Sequence, residues 1–125
     1  MKKDVEKHLR NADEIFRELE HLMAGGFYRG VIERAYSAML HAATAALTAR
    51  EVKDVSRQAI VPAFAEAFVK TGLLDKKFNQ YFRQAFSSRM KPDVVSFASV
   101  DHRQAQTMLI RTKEFIAACR GLCGQ

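Results

Sequence analysis

Along almost the whole chain, apolar residues recur with the 3.6-residue period of helices. A first apolar series runs through Val5, Leu9, Ala12, Phe16, Leu19 and Met23. The pair Gly25-Gly26 ends this predicted helix, because glycine adopts the left-handed backbone conformation that closes many helices. A second helix is therefore predicted to begin near Phe27.

The second helix is apolar on nearly all sides, apart from one polar stripe. The stripe consists of Arg34, Ser37, His41, Thr44 and Thr48, whose spacings of three and four residues place them on one line. Polar groups are costly to bury without a partner. The stripe must therefore lie against something polar, and the sequence leaves open a second subunit, a bound ligand or trapped water.

Three further helices follow the same reasoning. The third carries Pro62 in or near its first turn and stops at Gly72. The fourth follows Asp75, a residue suited to cap a helix N-terminus, and Pro92 ends or kinks it. The last begins near Asp101. Their predicted inward residues are Ile60, Val61, Phe64, Ala67 and Phe68, then Phe78, Phe82, Ala85 and Phe86, then Ala105, Met108, Leu109, Thr112, Phe115, Ile116 and Cys119.

Length and composition restrict the fold class. The chain has 125 residues, of which 48% are hydrophobic and 27% charged, as expected of one globular domain spanning residues 1–125. With no strand pattern, the sequence predicts an all-α fold, an up-and-down bundle of about five antiparallel helices. No apolar segment approaches the roughly 20 residues of a membrane span, and the charged N-terminus lacks a signal region. We expect a cytoplasmic protein with no membrane partner.

The net charge of +6 is unevenly distributed. The first 66 residues hold ten basic and ten acidic residues, whereas the remainder holds ten basic and four acidic residues. Such a one-sided balance favours a polyanionic partner, either nucleic acid or a nucleotide, through long-range attraction and phosphate contacts. A basic surface that is only solvated is the alternative.

The sequence offers little support for a metal or cofactor. Cys119 and Cys123 lie four residues apart and could supply only half of a zinc site. No CxxC motif or histidine cluster completes it, and no glycine-rich phosphate loop or nucleophile elbow is present. We expect two thiols without a ligand role, no metal and no cofactor.

Three segments together resemble the HEPN family of small prokaryotic helical proteins. They are RAYSAMLHAA from Arg34, FVKTG from Phe68 and SRMKPD from Ser88, within a similarity that extends from about residue 5 to residue 118. The resemblance implies a helical bundle that forms a homodimer. It also implies a toxin that works beside a nucleotidyltransferase-type partner as antitoxin.

The resemblance implies that active members are metal-independent ribonucleases whose motif is an arginine and a histidine separated by four to six residues. That histidine would move protons while the arginine stabilises phosphate charge. In similar members this segment reads Arg, three residues, Asp, Tyr. Here Arg89 and Asp93 match, but Val94 replaces the tyrosine, and positions 94–96 contain no histidine. The resemblance thus leaves open a ribonuclease with a degenerate motif or a non-catalytic dimerisation and interaction module.

The motif residues have both functional and structural interpretations. Arg89 extends the inward face of the fourth helix, where it could face phosphate or form an ion pair with Asp93 one turn later. Asp93 could accept a proton, although an unperturbed aspartate with a pKa of about 4 donates poorly at pH 7. Lys91, Arg83 and Arg103 either extend a basic RNA- or nucleotide-binding patch or are simply solvated.

Arg34 and His41 fit the same loose pattern of arginine, six residues and histidine. Histidine is suited to proton transfer near neutral pH. Because the family motif lies after the fourth helix, the two residues are either catalytic or polar partners at a dimer seam. His8 and His21 lie off the apolar line of the first helix, so we expect them to face solvent.

Overall fold

The computed structural model describes residues 2–52, 55–90 and 100–124. Within these ranges the chain forms the helices α1 (Lys2–Ala24), α2 (Tyr28–Ala49), α3 (Ile60–Phe64), α4 (Lys76–Met90) and α5 (His102–Leu122). The same ranges contain no strand, so the predicted all-α bundle is confirmed. None of the helices in this part of the chain is both long enough and apolar enough to cross a bilayer.

Side-chain pairs show how α1 and α2 are arranged. Arg34 of α2 donates to the carboxylate of Glu18 on α1 at 2.6 Å. His8, near the start of α1, lies against His41, near the end of α2. Early residues of one helix therefore meet late residues of the other, and the two helices are antiparallel.

The last helix, α5, forms ion pairs with two other helices of the bundle. The guanidinium of Arg120 on α5 donates to both carboxylate oxygens of Asp13 on α1, at 2.8 and 2.7 Å. Lys77, at the start of α4, forms an ion pair of 2.6 Å with Glu114 of α5. Helix α5 thus closes the bundle against both α1 and α4.

Helix α2 is the central helix and is buried on most of its surface, as the sequence predicts. Its fully buried positions include Ala35, Ala38, Ala42, Ala43, Ala45 and Ala46, all with zero exposure. Because an alanine side chain ends at Cβ, neighbouring helices can pack close to the α2 backbone. The polar residues of α2 are consequently confined to a narrow strip.

A cluster of aromatic rings fills the core between α2, α3, α4 and α5. Phe64 of α3 is at its centre, with its ring centroid 5.1 Å from that of Phe115, 5.3 Å from Phe68 and 5.4 Å from Phe82. Tyr36 of α2 stacks on Phe82 at 5.6 Å. This cluster fixes the position of Tyr36, which matters for the site described below.

The helix starts that the sequence predicts are confirmed by their capping contacts. The backbone N–H of Lys77 donates to Asp75 Oδ1 at 2.8 Å. Asp101 and Gln104 form a reciprocal capping box at α5, with hydrogen bonds of 2.9 and 3.0 Å. Gly72 has a φ of 82°, a left-handed conformation that suits glycine after a helix.

The third helix is less regular than its sequence pattern predicts. A 3₁₀ turn at Arg57–Ala59 precedes α3, and a π turn at Ala65–Val69 follows it. In the π turn the backbone N–H of Lys70 donates to the carbonyl of Ala65, five residues earlier, at 2.9 Å. The 3₁₀ turn places Arg57 beside the end of α2.

Candidate functional site

Two residues of the polar stripe of α2, Arg34 and His41, contact side chains of α1 in the same chain, which the sequence did not reveal. Arg34 is exposed and pairs with Glu18. Thr44 Oγ1 donates to the carbonyl of Leu40 at 2.7 Å. His41 instead contacts His8. Arg34 and His41 therefore belong to separate contacts, and the structure does not bring them together as an arginine–histidine pair.

His41 and His8 form a close pair between α2 and α1. Their Nδ1 atoms are 3.2 Å apart, and the ring centroids are 5.4 Å apart with an angle of 31° between the rings. The prediction that His8 faces solvent is wrong, since His8 is half-buried. The missed signal is its spacing, three residues after Val5 and four before Ala12, which places it at the edge of the apolar face.

Burial and neighbouring positive charge both act on this pair. Burial lowers the pKa of His8, and the charge of Lys7 lowers it further, whereas Asp4 opposes the shift. Burial also lowers the pKa of His41, with added contributions from His8, Arg57 and Lys7. Because the ordinary histidine value is 6.5, both imidazoles are neutral at pH 7.

The pair lines a solvent-open groove of about 500 Å³, which we call the histidine groove. This volume falls within the ~300–1,000 Å³ typical of small-molecule sites. The lining contains both polar and aliphatic side chains. The polar lining residues are His8, His41, Thr44, Thr48, Glu51 and Arg57, and the aliphatic ones are Leu40, Leu47, Val52, Val55 and Ile60.

The charges of two arginines, Arg57 and Arg89, act on Tyr36, and we call these residues the arginine pair. The guanidinium carbon of Arg89 lies 5.5 Å from the centroid of the Tyr36 ring. Burial raises the pKa of the Tyr36 phenol, while the charges of Arg89 and Arg57 both lower it. Since the charge of Arg57 also acts on His41, Arg57 connects the arginine pair to the histidine groove.

Arg89 lies on the side of α4 that faces α2, as predicted, but the residue is exposed instead of buried. It follows Phe82 and Phe86 in helical spacing, but it lies in the last turn of α4, beyond the packed core. There its guanidinium lies over the Tyr36 ring instead of inside the bundle. Asp93, the second residue of the predicted motif, and Lys91, a candidate for the basic patch, lie outside the described residues.

The remaining basic candidates lie at other places on the bundle. Arg83 is exposed and lines a pocket of α4 and α5 that also includes Tyr81 and Arg111. Arg103 is exposed in the first turn of α5. Neither residue lines the histidine groove.

The cysteines are free thiols, Cys119 buried and Cys123 half-buried. Burial raises the pKa of both thiols, which disfavours the thiolate form that binds metals. Within residues 2–52, 55–90 and 100–124, no three histidine, cysteine or acidic side chains are grouped so that they could hold a metal ion.

The histidine pair is expected to make the protein less stable as the pH falls. With the folded-state pKa of each imidazole below 6.5, the unfolded chain binds protons more readily. The free energy of unfolding should therefore drop as the pH decreases from 6.5 through the lowered values. Thermal unfolding between pH 7 and pH 5 measures this, and His41→Gln should flatten the dependence. The control His21→Gln removes an exposed imidazole of α1 and should leave it unchanged.

Comparison with known proteins places the chain in a family. The sequence matches the HEPN domain family over residues 5–122. The protein named "Putative toxin MJ0142" of Methanocaldococcus jannaschii is 24% identical over 115 residues, covering 92% of this chain and 78% of that relative. "UPF0332 protein PH1297" of Pyrococcus horikoshii is 26% identical over 106 residues, covering 85% and 74%.

A third relative extends the similarity over most of both chains. The "UPF0332 protein" of Thermotoga maritima is 22% identical over 120 residues, covering 96% of this chain and 91% of the relative. The family match spans nearly the whole sequence and agrees with the helical bundle described above. The chain therefore belongs to the HEPN domain family.

Proposed function

We propose that this HEPN protein binds RNA or a nucleotide through phosphate contacts of the arginine pair. One observation carries the proposal: the guanidinium carbon of Arg89, at the end of α4, lies 5.5 Å from the centroid of the Tyr36 ring, while Arg57, from the 3₁₀ turn, lines the histidine groove. Nearby like charges are more stable with an anion between them. A guanidinium also matches a phosphate group geometrically, donating two parallel hydrogen bonds.

Further basic residues outside the arginine pair add positive charge to the protein. Residues 67–125 hold the whole net charge of +6, and Lys91, Arg83 and Arg103 lie within that part of the sequence. We propose that they strengthen binding through long-range attraction and further phosphate contacts. Their contribution should be smaller than that of the arginine pair, because Arg83 and Arg103 lie apart from the histidine groove.

The biological role that fits best is that of a toxin-like subunit in a homodimer, controlled by a nucleotidyltransferase-type partner. Family membership and the relative named as a toxin support this role. A homodimer would place two arginine pairs around one anionic ligand. In a ribonuclease of this kind, the 2′-hydroxyl of the RNA would give its proton to Asp93 and bond to phosphorus, while Arg89 stabilises the phosphate charge. The bond from phosphorus to the 5′-oxygen would break, and that oxygen would take a proton from water.

The second candidate function is a non-catalytic helical interaction module. It is favoured by the replacement of the motif tyrosine by Val94 and by the lack of a histidine at positions 94–96. Such a module would retain binding and dimerisation without cleaving RNA.

Binding is tested by fluorescence anisotropy with a labelled single-stranded RNA at several salt concentrations. Wild type should bind with strong salt dependence, and Arg89→Ala should bind more weakly, with a salt slope reduced by about one. Sedimentation of the same complexes should show two chains per RNA. The matched control is Arg34→Ala, which removes one positive charge already compensated by Glu18 and should change binding little.

Two results would contradict the proposal that the protein binds RNA or a nucleotide. One is equal affinity of wild type, Arg89→Ala and Arg57→Ala for the RNA. The other is a wild-type affinity that is independent of salt, because phosphate contacts release counterions and cannot be salt-independent.

A further inference from the structure

A surface pocket formed by α4 and α5, which we call the α4–α5 pocket, lies apart from the histidine groove and has a volume of about 510 Å³. Its lining consists of Gln80, Tyr81, Arg83, Gln84, Ser87 and Arg111. Two of these side chains carry a positive charge, the others are neutral, and none is a carboxylate. The pocket therefore offers two guanidiniums and several neutral hydrogen-bond donors to a ligand.

The two guanidiniums keep their charge available for a ligand. Within the part of the chain that the structure describes, neither Arg83 nor Arg111 forms an ion pair with a carboxylate. Arg111 is instead hydrogen-bonded to the neutral side chain of Gln84. Glu114, which contacts one lining residue, already forms an ion pair of 2.6 Å with Lys77. An anion that enters the pocket would therefore meet two positive charges without displacing an internal partner.

Arg111 is held in position by two contacts. Its guanidinium carbon lies 5.1 Å from the centroid of the Tyr81 ring, so one face of the cation packs on the aromatic ring. It also donates a hydrogen bond to Oε1 of Gln84. A guanidinium carries five N–H donors, so this bond leaves others for a ligand. Because the oxygen of the Gln84 carboxamide faces Arg111, the NH₂ group of Gln84 can donate as well.

Four of the lining residues share one face of α4. Gln80, Arg83, Gln84 and Ser87 are spaced by three or four residues, which places them at neighbouring positions on the helix surface. All four are exposed. This face thus presents one guanidinium, two carboxamides and a hydroxyl beside Arg111 of α5.

We propose that the α4–α5 pocket binds the terminal phosphate of a nucleotide or of an RNA end, which is a phosphomonoester. The inference rests on the proposed function in that the ligand is a nucleotide or RNA. It adds a second site, which includes neither residue of the arginine pair, and a preference for a terminal phosphate over the phosphates within an RNA chain.

Charge distinguishes a terminal phosphate from other anions. A phosphomonoester carries a charge of about −1.5 to −2 at pH 7. A phosphodiester within RNA and a carboxylate each carry a single negative charge, which would leave one guanidinium of the pocket uncompensated. Guanidiniums also bind phosphate oxygens through two parallel hydrogen bonds. Arg83 and Arg111 together therefore match a phosphomonoester better than either of the other groups.

The pocket has room for more than the phosphate. Its volume falls within the ~300–1,000 Å³ typical of small-molecule sites, so a ribose can enter with the phosphate. Gln80 and Ser87 can form hydrogen bonds with ribose hydroxyls. A phosphorylated protein segment fits less well, because the lining contains no aliphatic side chain to anchor the residues beside the phosphate.

The first test compares three forms of one internally labelled single-stranded RNA by fluorescence anisotropy, with a 5′-phosphate, with a 3′-phosphate or with hydroxyls at both ends. Wild type should bind one phosphorylated form about tenfold or more tightly than the form without a terminal phosphate, because of the added charged hydrogen bonds. Arg83→Ala and Arg111→Ala should each remove most of this preference. The matched control Arg103→Ala removes an exposed arginine of α5 outside the pocket and should keep it.

A second test addresses a free nucleotide as the source of the phosphate. Isothermal titration calorimetry with the four nucleoside 5′-monophosphates should show binding to wild type, and the nucleosides without phosphate should not bind. Arg83→Ala should weaken the nucleotide binding about tenfold or more. A response to RNA ends alone would assign the pocket to RNA, and a response to nucleotides alone would assign it to a free nucleotide; either result supports the inference.

Two observations separate ligand binding from a structural role. Arg83 is exposed, so Arg83→Ala should melt at the wild-type temperature, which keeps the inference testable even if the Arg111 variant does not fold. The preference for a terminal phosphate should also decline as the pH falls from 7 to 5. A phosphomonoester takes up a second proton with a pKa of about 6, whereas the two arginines stay charged.

The negative outcomes are distinct. Equal wild-type affinity for RNA with and without a terminal phosphate, together with no nucleotide binding, would overturn the inference and leave the proposed function in place. A preference that survives both Arg83→Ala and Arg111→Ala would also overturn it, by placing the terminal phosphate elsewhere. Tighter binding of a phosphoserine peptide than of either ligand would overturn the choice of ligand. Failure of wild type to bind RNA and nucleotides alike would refute the proposed function, and the inference with it.

Discussion

Replacing Phe64 with alanine should lower the free energy of unfolding by about 3–5 kcal/mol. This is one of the two largest effects expected from a single substitution here, because the Phe64 ring is fully buried and contacts the rings of Phe68, Phe82 and Phe115. The change removes the area buried by the ring and leaves a cavity among side chains from separate helices. Those helices cannot all move inward to fill it.

Urea unfolding monitored by circular dichroism measures the effect. A small domain is typically stable by only about 5–15 kcal/mol, so the Phe64→Ala variant should unfold at a much lower urea concentration. The control is Phe27→Ala, at a position that is 64% exposed, and its loss should be well below 1 kcal/mol. Equal losses at the two positions would show that the aromatic cluster does not hold the bundle together.

Enlarging Ala42 to leucine should also destabilise the protein, by about 1–3 kcal/mol or more. Ala42 has no exposed surface and belongs to the central core. The bulkier side chain must push α2 away from its neighbours or adopt a strained rotamer. A larger apolar side chain is often expected to stabilise a protein core, but here we expect it to lower the free energy of unfolding.

A matched substitution separates crowding from helix propensity. Ala117 lies within α5 but is exposed, so Ala117→Leu introduces the same side chain into a helix without crowding. Its effect on the free energy of unfolding should be within about 0.5 kcal/mol of zero. Thermal or urea unfolding of both variants provides the comparison. Similar stability of the Ala42→Leu and Ala117→Leu proteins would mean that α2 has free space around it.

The parts of the fold that depend on local sequence could be predicted. The aspartates at positions 75 and 101 mark helix starts because a carboxylate binds the first free backbone N–H groups, a contact within a few residues. The five helices could likewise be predicted from the spacing of apolar residues, because this spacing is also visible over short stretches of sequence. The π turn at Ala65–Val69 could not be predicted, since an irregular turn reflects packing against other helices and has no fixed sequence pattern.

The candidate site could be predicted only in part. The sequence predicts His41 and Arg89 as candidates, and the structure places His41 in the groove with Arg57 and Arg89 over the ring of Tyr36. His8 and Arg57 were missed, because their closeness to His41 and Tyr36 depends on how three elements pack. The spacing from Phe82 predicts that Arg89 extends the inward face of α4, but it does not show that the buried core ends before the last turn of that helix.

The π turn after α3 also bears on how the family tolerates changes in length. A π turn contains one residue more than the regular helix that could replace it, and the segments before and after it keep their orientation. Removing one residue from Ala65–Val69 would therefore turn the segment into ordinary α-helix while Phe64 still points into the bundle. When homologous chains differ by a single residue in this region, the gap in their alignment belongs at this turn.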